Sequence, residues 1–278
     1  MPKIKKEKRN FSDFSTSIVM GILNITTDSF YDGGKYLTKE NIISQIKKIE
    51  KEGAKIIDIG ASSSRPGSKP VSEKIELERL IPAIKLVKEN SSNLMISIDT
   101  FRSRIAEECV KNGADIINDI SAGQMDKKMF TTIANLDVPY IMMHMKGNSL
   151  SMQNNPNYTN IISEISSFFH ERIKLLNDMG FNKIIIDPGF GFGKTLDHNY
   201  KILKDLKKFK KFKLPILVGA SRKSMIYNLL KINSSDALNG TSAVNTLSLM
   251  NGANILRVHD VKEIKKSLTI FEKAMNSK

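Results

Sequence analysis

The chain has 278 residues, 40% hydrophobic and 26% charged, the balance of a folded globular protein rather than a disordered one. It holds no run of about 18 apolar residues able to span a membrane, no apolar signal segment behind its basic start, and one cysteine, Cys109, which excludes an internal disulfide and points to the cytoplasm. The net charge of +14 comes from 43 cations, 35 of them lysine, in solvent-facing patterns such as LKDLKKFKKFK; without an aromatic platform or a groove-reading helix, no nucleic-acid partner is expected.

Residues 1–17 read as a basic tail and 18–278 as one folded unit. Short Ile-, Leu- and Val-rich runs fall at 18–23, 54–60, 94–98, 114–120, 139–143, 183–186, 215–218 and 253–258. Runs this continuous suit strands buried on both faces of a parallel sheet. The segments between them have helical periodicity. TKENIISQIKKIEKEG opens on Thr38 as N-cap and closes on Gly53. SEKIELERLIPAIKLVKEN opens on Ser72, carries Glu73 and Glu76 in its first turn and is expected to bend at Pro82. Further helices are expected at 103–113, 126–135, 158–179, 198–212, 223–231, 236–251 and 261–275. Eight such units describe an α/β fold, a single (β/α)8 TIM barrel whose active site lies at the C-terminal ends of the strands. A doubly wound open sheet also alternates strand and helix, but the even spacing favours closure.

Every strand ends in a group able to hydrogen-bond or carry charge: Asn24, Ser62 to Arg65, Asp99, Asn118, His144, Asp187, Ser221 with Lys223, and Arg257 with His259. Lone acids inside apolar runs such as ISID and IIID must find a partner or serve a ligand, because an unpaired buried carboxylate costs several kcal/mol. Asp187 and Asn118 could grip a guanidine-like ligand edge. The loops after the last two strands commonly form a phosphate site in such barrels, and Ser221, Arg257 and His259 are the donors there, so a phosphorylated substrate is expected. GFGFGKT lacks Walker spacing and is not read as a nucleotide loop. His144 is assigned to packing or support beneath the pocket, Asp58 to a satisfied interior carboxylate and Cys109 to a buried helix face. His170 and His198 lack partners at zinc-ligand spacing.

The ordered segments MGILNITTDSFYDGG, DIGASSSRPG, SIDT, INDISAG, MHMKG, DPGFGFGK, GASRKSM, NGTSA and RVHDV resemble the dihydropteroate synthase family over about residues 18–275. The resemblance implies condensation of 4-aminobenzoate with (7,8-dihydropterin-6-yl)methyl diphosphate in folate biosynthesis. It implies Asn24 beside a Mg2+ ion and the diphosphate, and Ser64 and Arg65 on a loop near the diphosphate and the aminobenzoate. Asp99, Asn118, Asp187 and Lys223 take pterin-contact roles, Arg257 and His259 anchor the diphosphate, and Ser221, Phe192 and Pro66 lie near the aminobenzoate. Asp99, Arg257, His259 and Arg65 are the expected catalytic groups, with segments 25–37 and 62–71 closing over the substrates. A homodimer through 198–231 and 236–251 is implied as well. Thr27 replaces a usual proline, Ser64 a usual threonine, and Ala61-Ser62 a frequent Gly-Glu pair. A corrinoid methyltransferase on the same barrel would share the two aspartates and the asparagine, but has no use for SRPG, SRKS and RVH.

Overall fold

Residues 14, 16–25, 38–61, 71–147 and 156–277 are described by the computed structural model. Eight short strands dominate it: β1 (Ile18–Asn24), β2 (Ile56–Gly60), β3 (Met95–Asp99), β4 (Ile116–Asp119), β5 (Tyr140–Met143), β6 (Ile184–Asp187), β7 (Leu217–Val218) and β8 (Ile255–Val258). All pair in parallel, in the order β6-β5-β4-β3-β2-β1-β8-β7. One bridge, Ile186 to Ile216, joins β6 to the chain entering β7 and brings the two sheet ends together. The chain is a (β/α)8 barrel. Each strand matches one of the apolar runs in the sequence.

Nine helices surround the barrel in the described residues: α1 (Lys39–Lys51), α2 (Glu73–Asn90), α3 (Ser103–Lys111), α4 (Met129–Leu136), α5 (Ile161–Asp178), α6 (Leu196–Asp205), α7 (Ser224–Leu230), α8 (Leu238–Met250) and α9 (Val261–Asn276). The sequence signals for two starts hold in detail. Thr38 Oγ1 accepts from the Asn41 amide at 3.3 Å, and Ser72 Oγ from Ile75 at 3.4 Å. Gly53, with φ +96°, ends α1 in the conformation that glycine adopts without strain. α2 continues through Pro82.

One expected helix divides. Over 198–212 the α-helix stops at Asp205, and Leu206–Phe212 forms a 3-10 turn. Its apolar residues explain the change: Leu206 and Phe209 are buried and Phe212 packs on the core, three residues apart each time. Three residues per turn puts them on one ridge, whereas an α-helix would rotate them off it.

Alternation along the strands divides the interior into layers. Ile18, Met20, Ile56, Met95, Ile116, Ile141, Ile185, Leu217 and Ile255 form one buried cluster at the N-terminal ends of the strands, closed by Phe14 from the N-terminal stretch. Their sequence neighbours, such as Val19, Ile57, Ile96 and Leu256, face the helices in a larger cluster. Two residues further along the inner face come Asp58, Ser97, Asn118, Asp187 and Arg257. A polar layer therefore sits directly on an apolar floor.

β1 lies tightly under α1 and α9. A Cβ on Gly21 would stand 2.7 Å from Ile49 Cγ2 and 3.0 Å from Val261 Cγ2. Gly21→Val is therefore expected to destabilise the fold by about 1–3 kcal/mol through overpacking, read from urea unfolding midpoints. An unchanged midpoint would show that the two helices yield freely.

Candidate active site at the strand ends

The polar layer is organised around Asp58, whose carboxylate is fully buried. Its Oδ1 accepts from Ser97 Oγ at 2.6 Å; its Oδ2 accepts from Asn118 Nδ2 at 3.1 Å and from Arg257 Nε at 2.6 Å. Arg257 also reaches Asp99 Oδ2 at 3.1 Å. One guanidinium from β8 thus joins carboxylates from β2 and β3, and the same acid that orients it orients the amide from β4. Burial opposes the charge on Arg257, but Asp58 and then Asp99 outweigh it and push its pKa up. Asp99 behaves the other way: burial raises its pKa to about 7 against the pull of Arg257, with Asp58 adding to the rise. Two acids share one cation, so the second acid keeps its proton more readily.

Gly60 keeps the space beside this group open. A Cβ there would lie 3.4 Å from Asn24 Oδ1 and 3.7 Å from Asp99 Oδ2, so the exposed amide at the end of β1 and the acid at the end of β3 face a common gap.

Across the barrel, Asp187 ends β6 with 6% of its surface exposed. Its Oδ1 accepts from the Gly189 amide at 2.7 Å. Burial raises its pKa, while Lys223, the Gly189 amide, Lys194 and Arg257 act against the rise. Asp187 and Arg257 each stand two residues beyond an inner-face residue of the apolar floor, Ile185 and Ile255, so both face the barrel interior. Lys223 donates to Phe190 O at 2.7 Å and lies 4.6 Å above the Phe192 ring. Burial lowers its pKa to about 8 against the opposing pull of Asp187. Met143, Met145 and Phe192 form a small apolar cluster, with Ile120 against it, beside these charges. Arg257 Cβ and Cδ at 3.8 Å and Lys223 Nζ at 4.0 Å stand around the point where a Cβ on Gly219 would lie, so the two cations flank the same stretch of backbone at the end of β7.

At the last two strands, Ser221 Oγ accepts from the His259 amide at 3.2 Å and lies 3.2 Å from His259 Nδ1. Arg222 binds Asp260 through both carboxylate oxygens, at 2.7 and 2.6 Å, and the carbonyls of Ser234 and Ser235. This pair fixes the β7 loop against the β8 loop and presents His259 exposed at the rim.

The described candidates therefore converge: Asn24, Asp99, Asn118, Asp187, Phe192, Ser221, Lys223, Arg257 and His259 line one end of the barrel. Ser64, Arg65, Pro66 and Thr27 lie outside the described residues. Cys109 and His144 are buried, as their neighbourhoods suggested, and His198 completes the capping box of α6 with Thr195. Among the described residues no three His, Cys, Asp or Glu side chains group as a metal cage, and no helix is long and apolar enough to cross a membrane. The sequence reading placed Asp58 in the interior but missed that its partners are site residues. It missed Ser97, which inner-face counting back from Asp99 locates, and it missed Lys194.

The family model described as pterin binding enzyme matches residues 20–259. Dihydropteroate synthase of Escherichia coli strain K12 is 40% identical over 268 residues, covering 96% of this chain and 94% of that protein. The Synechocystis enzyme of the same name is 41% identical over 247 residues, covering 88% and 85%. A crystal structure of Yersinia pestis dihydropteroate synthase in a sulfonamide drug complex superposes with a TM-score of 0.91 at 38% identity, covering 95% of this chain and 96% of that one. One of the Xanthomonas albilineans enzyme with 4-aminobenzoic acid gives 0.88 at 35% identity, covering 95% of each chain.

The burial of Asp99, which Arg257 only partly offsets, has a consequence for stability. Unfolded, Asp99 titrates near 3.8; folded, near 7. Between these values the folded chain holds the extra proton, so stability falls as pH rises from about 4 to about 7. Asp99→Asn is expected to flatten that decline in urea titrations across this range. Equal slopes in the two proteins would refute a raised Asp99 pKa in the folded chain.

Proposed function

The chain belongs to the pterin binding enzyme family and its activity is that of a dihydropteroate synthase, a transferase of folate biosynthesis acting on small molecules; from that premise we propose how its residues divide the reaction. The observation that carries the proposal is the placement of buried acceptors, Asp187 and Asn118, on the same interior as the cations Lys223 and Arg257. A pterin ring presents an N–H-rich, guanidine-like edge. Asp187 accepts from it as a carboxylate, Asn118 fixes its register with an amide held in place by Asp58, and Lys223 donates to its carbonyl side. Phe192 and Met145 cover the ring with apolar surface.

In the reaction the amine nitrogen of 4-aminobenzoate forms a bond to the pterin methylene carbon as the C–O bond to diphosphate breaks. The amine loses one proton and the diphosphate leaves with the bonding electrons. An aromatic amine is already nucleophilic, so the chain's task is to stabilise separating charge. Arg257 and His259, with Arg65 from the loop after β2, take up the negative charge at the mouth. Asp99 and Asp187 offset the electron deficiency that spreads into the pterin. Each such contact is worth about 100–1000-fold in rate. Ser221 holds His259 toward the rim, and Phe192, Pro66 and Ser64 border the aminobenzoate.

A Mg2+ ion fits this donor set. The Asn24 amide is one hard oxygen at an open gap, and Mg2+ typically takes few protein ligands and completes its shell with substrate phosphate and water. Bound there, it would supply positive charge to the departing diphosphate.

A homodimer is supported by apolar surface on α7 and α8: Leu229 and Leu230 are 50% and 49% exposed, Leu247 46% and Met250 65%, with Ile232 between the two helices. A second copy of the chain would cover it.

Diphosphate release is expected to require both substrates and to fall on Mg2+ removal, and Asp187→Ala is expected to lower kcat/KM for the pterin diphosphate by about 100-fold or more. Turnover without 4-aminobenzoate, or wild-type kinetics in the variant, would overturn these assignments. In sedimentation the chain is expected to run as a dimer and Leu247→Asp as a monomer; a wild-type monomer would refute the second copy.

A further inference from the structure

Lys194 is a buried lysine, 3% exposed, at the end of the GFGFGK loop between β6 and α6. Such a group persists only where acceptors surround its ammonium. Lys194 Nζ has three: Phe192 O at 2.9 Å, His144 O at 3.3 Å and His144 Nδ1 at 3.1 Å. Two of them belong to the residue that follows β5. Burial, with the charge of Lys194 next, lowers the His144 pKa to about 2, so the ring is neutral and its Nδ1 serves as the acceptor.

The main chain closes along the same line. Gly189 and Gly193 adopt φ of +71° and +63°, and a Cβ on either would collide with His144 O or Lys146 O. The His144 amide donates to Asp187 O at 2.9 Å, and Tyr158 Oη donates to Gly193 O at 2.8 Å. The loop is therefore pressed onto the end of β5, and its flanking residues are site residues: Asp187 on one side and Phe192 two positions before Lys194.

We propose that Lys194 is a positioning residue for the reaction: its ammonium locks the β6 loop to the end of β5 and so holds the Asp187 carboxylate and the Phe192 ring in the arrangement that receives the pterin. It touches no reacting atom. Lys194 also acts with Lys223 against the rise that burial gives the Asp187 pKa. The inference rests on the pterin reading above.

Steady-state kinetics of Lys194→Met test it, with the pterin diphosphate and 4-aminobenzoate varied separately. Loss of positioning is expected to raise KM for the pterin diphosphate about 10- to 100-fold and to change kcat at saturating pterin diphosphate far less. A merely structural role would lower the amount of active enzyme, and with it kcat, while leaving KM unchanged; that pattern overturns the proposal. Should Lys194→Met fail to fold, His144→Leu removes one of the three acceptors and is expected to raise the same KM several-fold; an unchanged KM there also overturns it. A wild-type chain without pterin-dependent turnover would overturn both this inference and the reading beneath it, whereas an active wild type with an unaltered variant removes this inference alone.

Discussion

A guanidinium largely withdrawn from water is costly unless it is paired and hydrogen-bonded, and Arg257 is paired twice, with Asp58 and with Asp99. Those partners lie 199 and 158 positions away along the chain. They meet only because β1 pairs with β8 on one side and β2 on the other, which brings β8 within reach of β2 and β3. The pairing of β8 with β1, β1 with β2 and β2 with β3 and the pairing of these charges thus support each other. Parting β8 from β1 would strand the arginine, and removing the arginine would leave two acids facing each other without a cation.

The same arrangement sets a gradient along the barrel axis. At its foot the inner face is wholly apolar. One step up it carries Asp58, Ser97, Asn118 and Asp187, all buried. At the rim it is wet, with Asn24 and His259 exposed. A ligand with a polar ring at one end and phosphates at the other matches such a gradient: the ring meets fixed acceptors where water is scarce, and the phosphates meet cations where solvent can enter.

Much of this was legible in the chain itself. Strand positions follow from the Ile-rich runs, and the acids that end ISID and IIID, with the asparagine of IIND, are among the residues that converge. Thr38, Ser72 and Gly53 mark their helix boundaries by local chemistry alone. What escaped the reading was of two kinds. The partners of Asp58 depend on closure and on which strand face each residue occupies, so no local pattern near IIDIG announces them. Lys194 sits in a glycine-rich loop that resembles a surface turn; its burial arises because the loop folds back onto the end of another strand. The Leu206–Phe212 stretch is a third case, where spacing by threes was present but was outweighed by helix-forming composition. Ser64, Arg65 and Pro66 rest on family resemblance alone.

Phe14 and the isoleucine layer above it close the foot of the barrel with tightly fitted hydrocarbon. Among the described residues, the strand-end site is consequently sealed at the foot of the barrel. Nothing can be threaded through that end, so reactants and products alike must come and go on the side where the strands end.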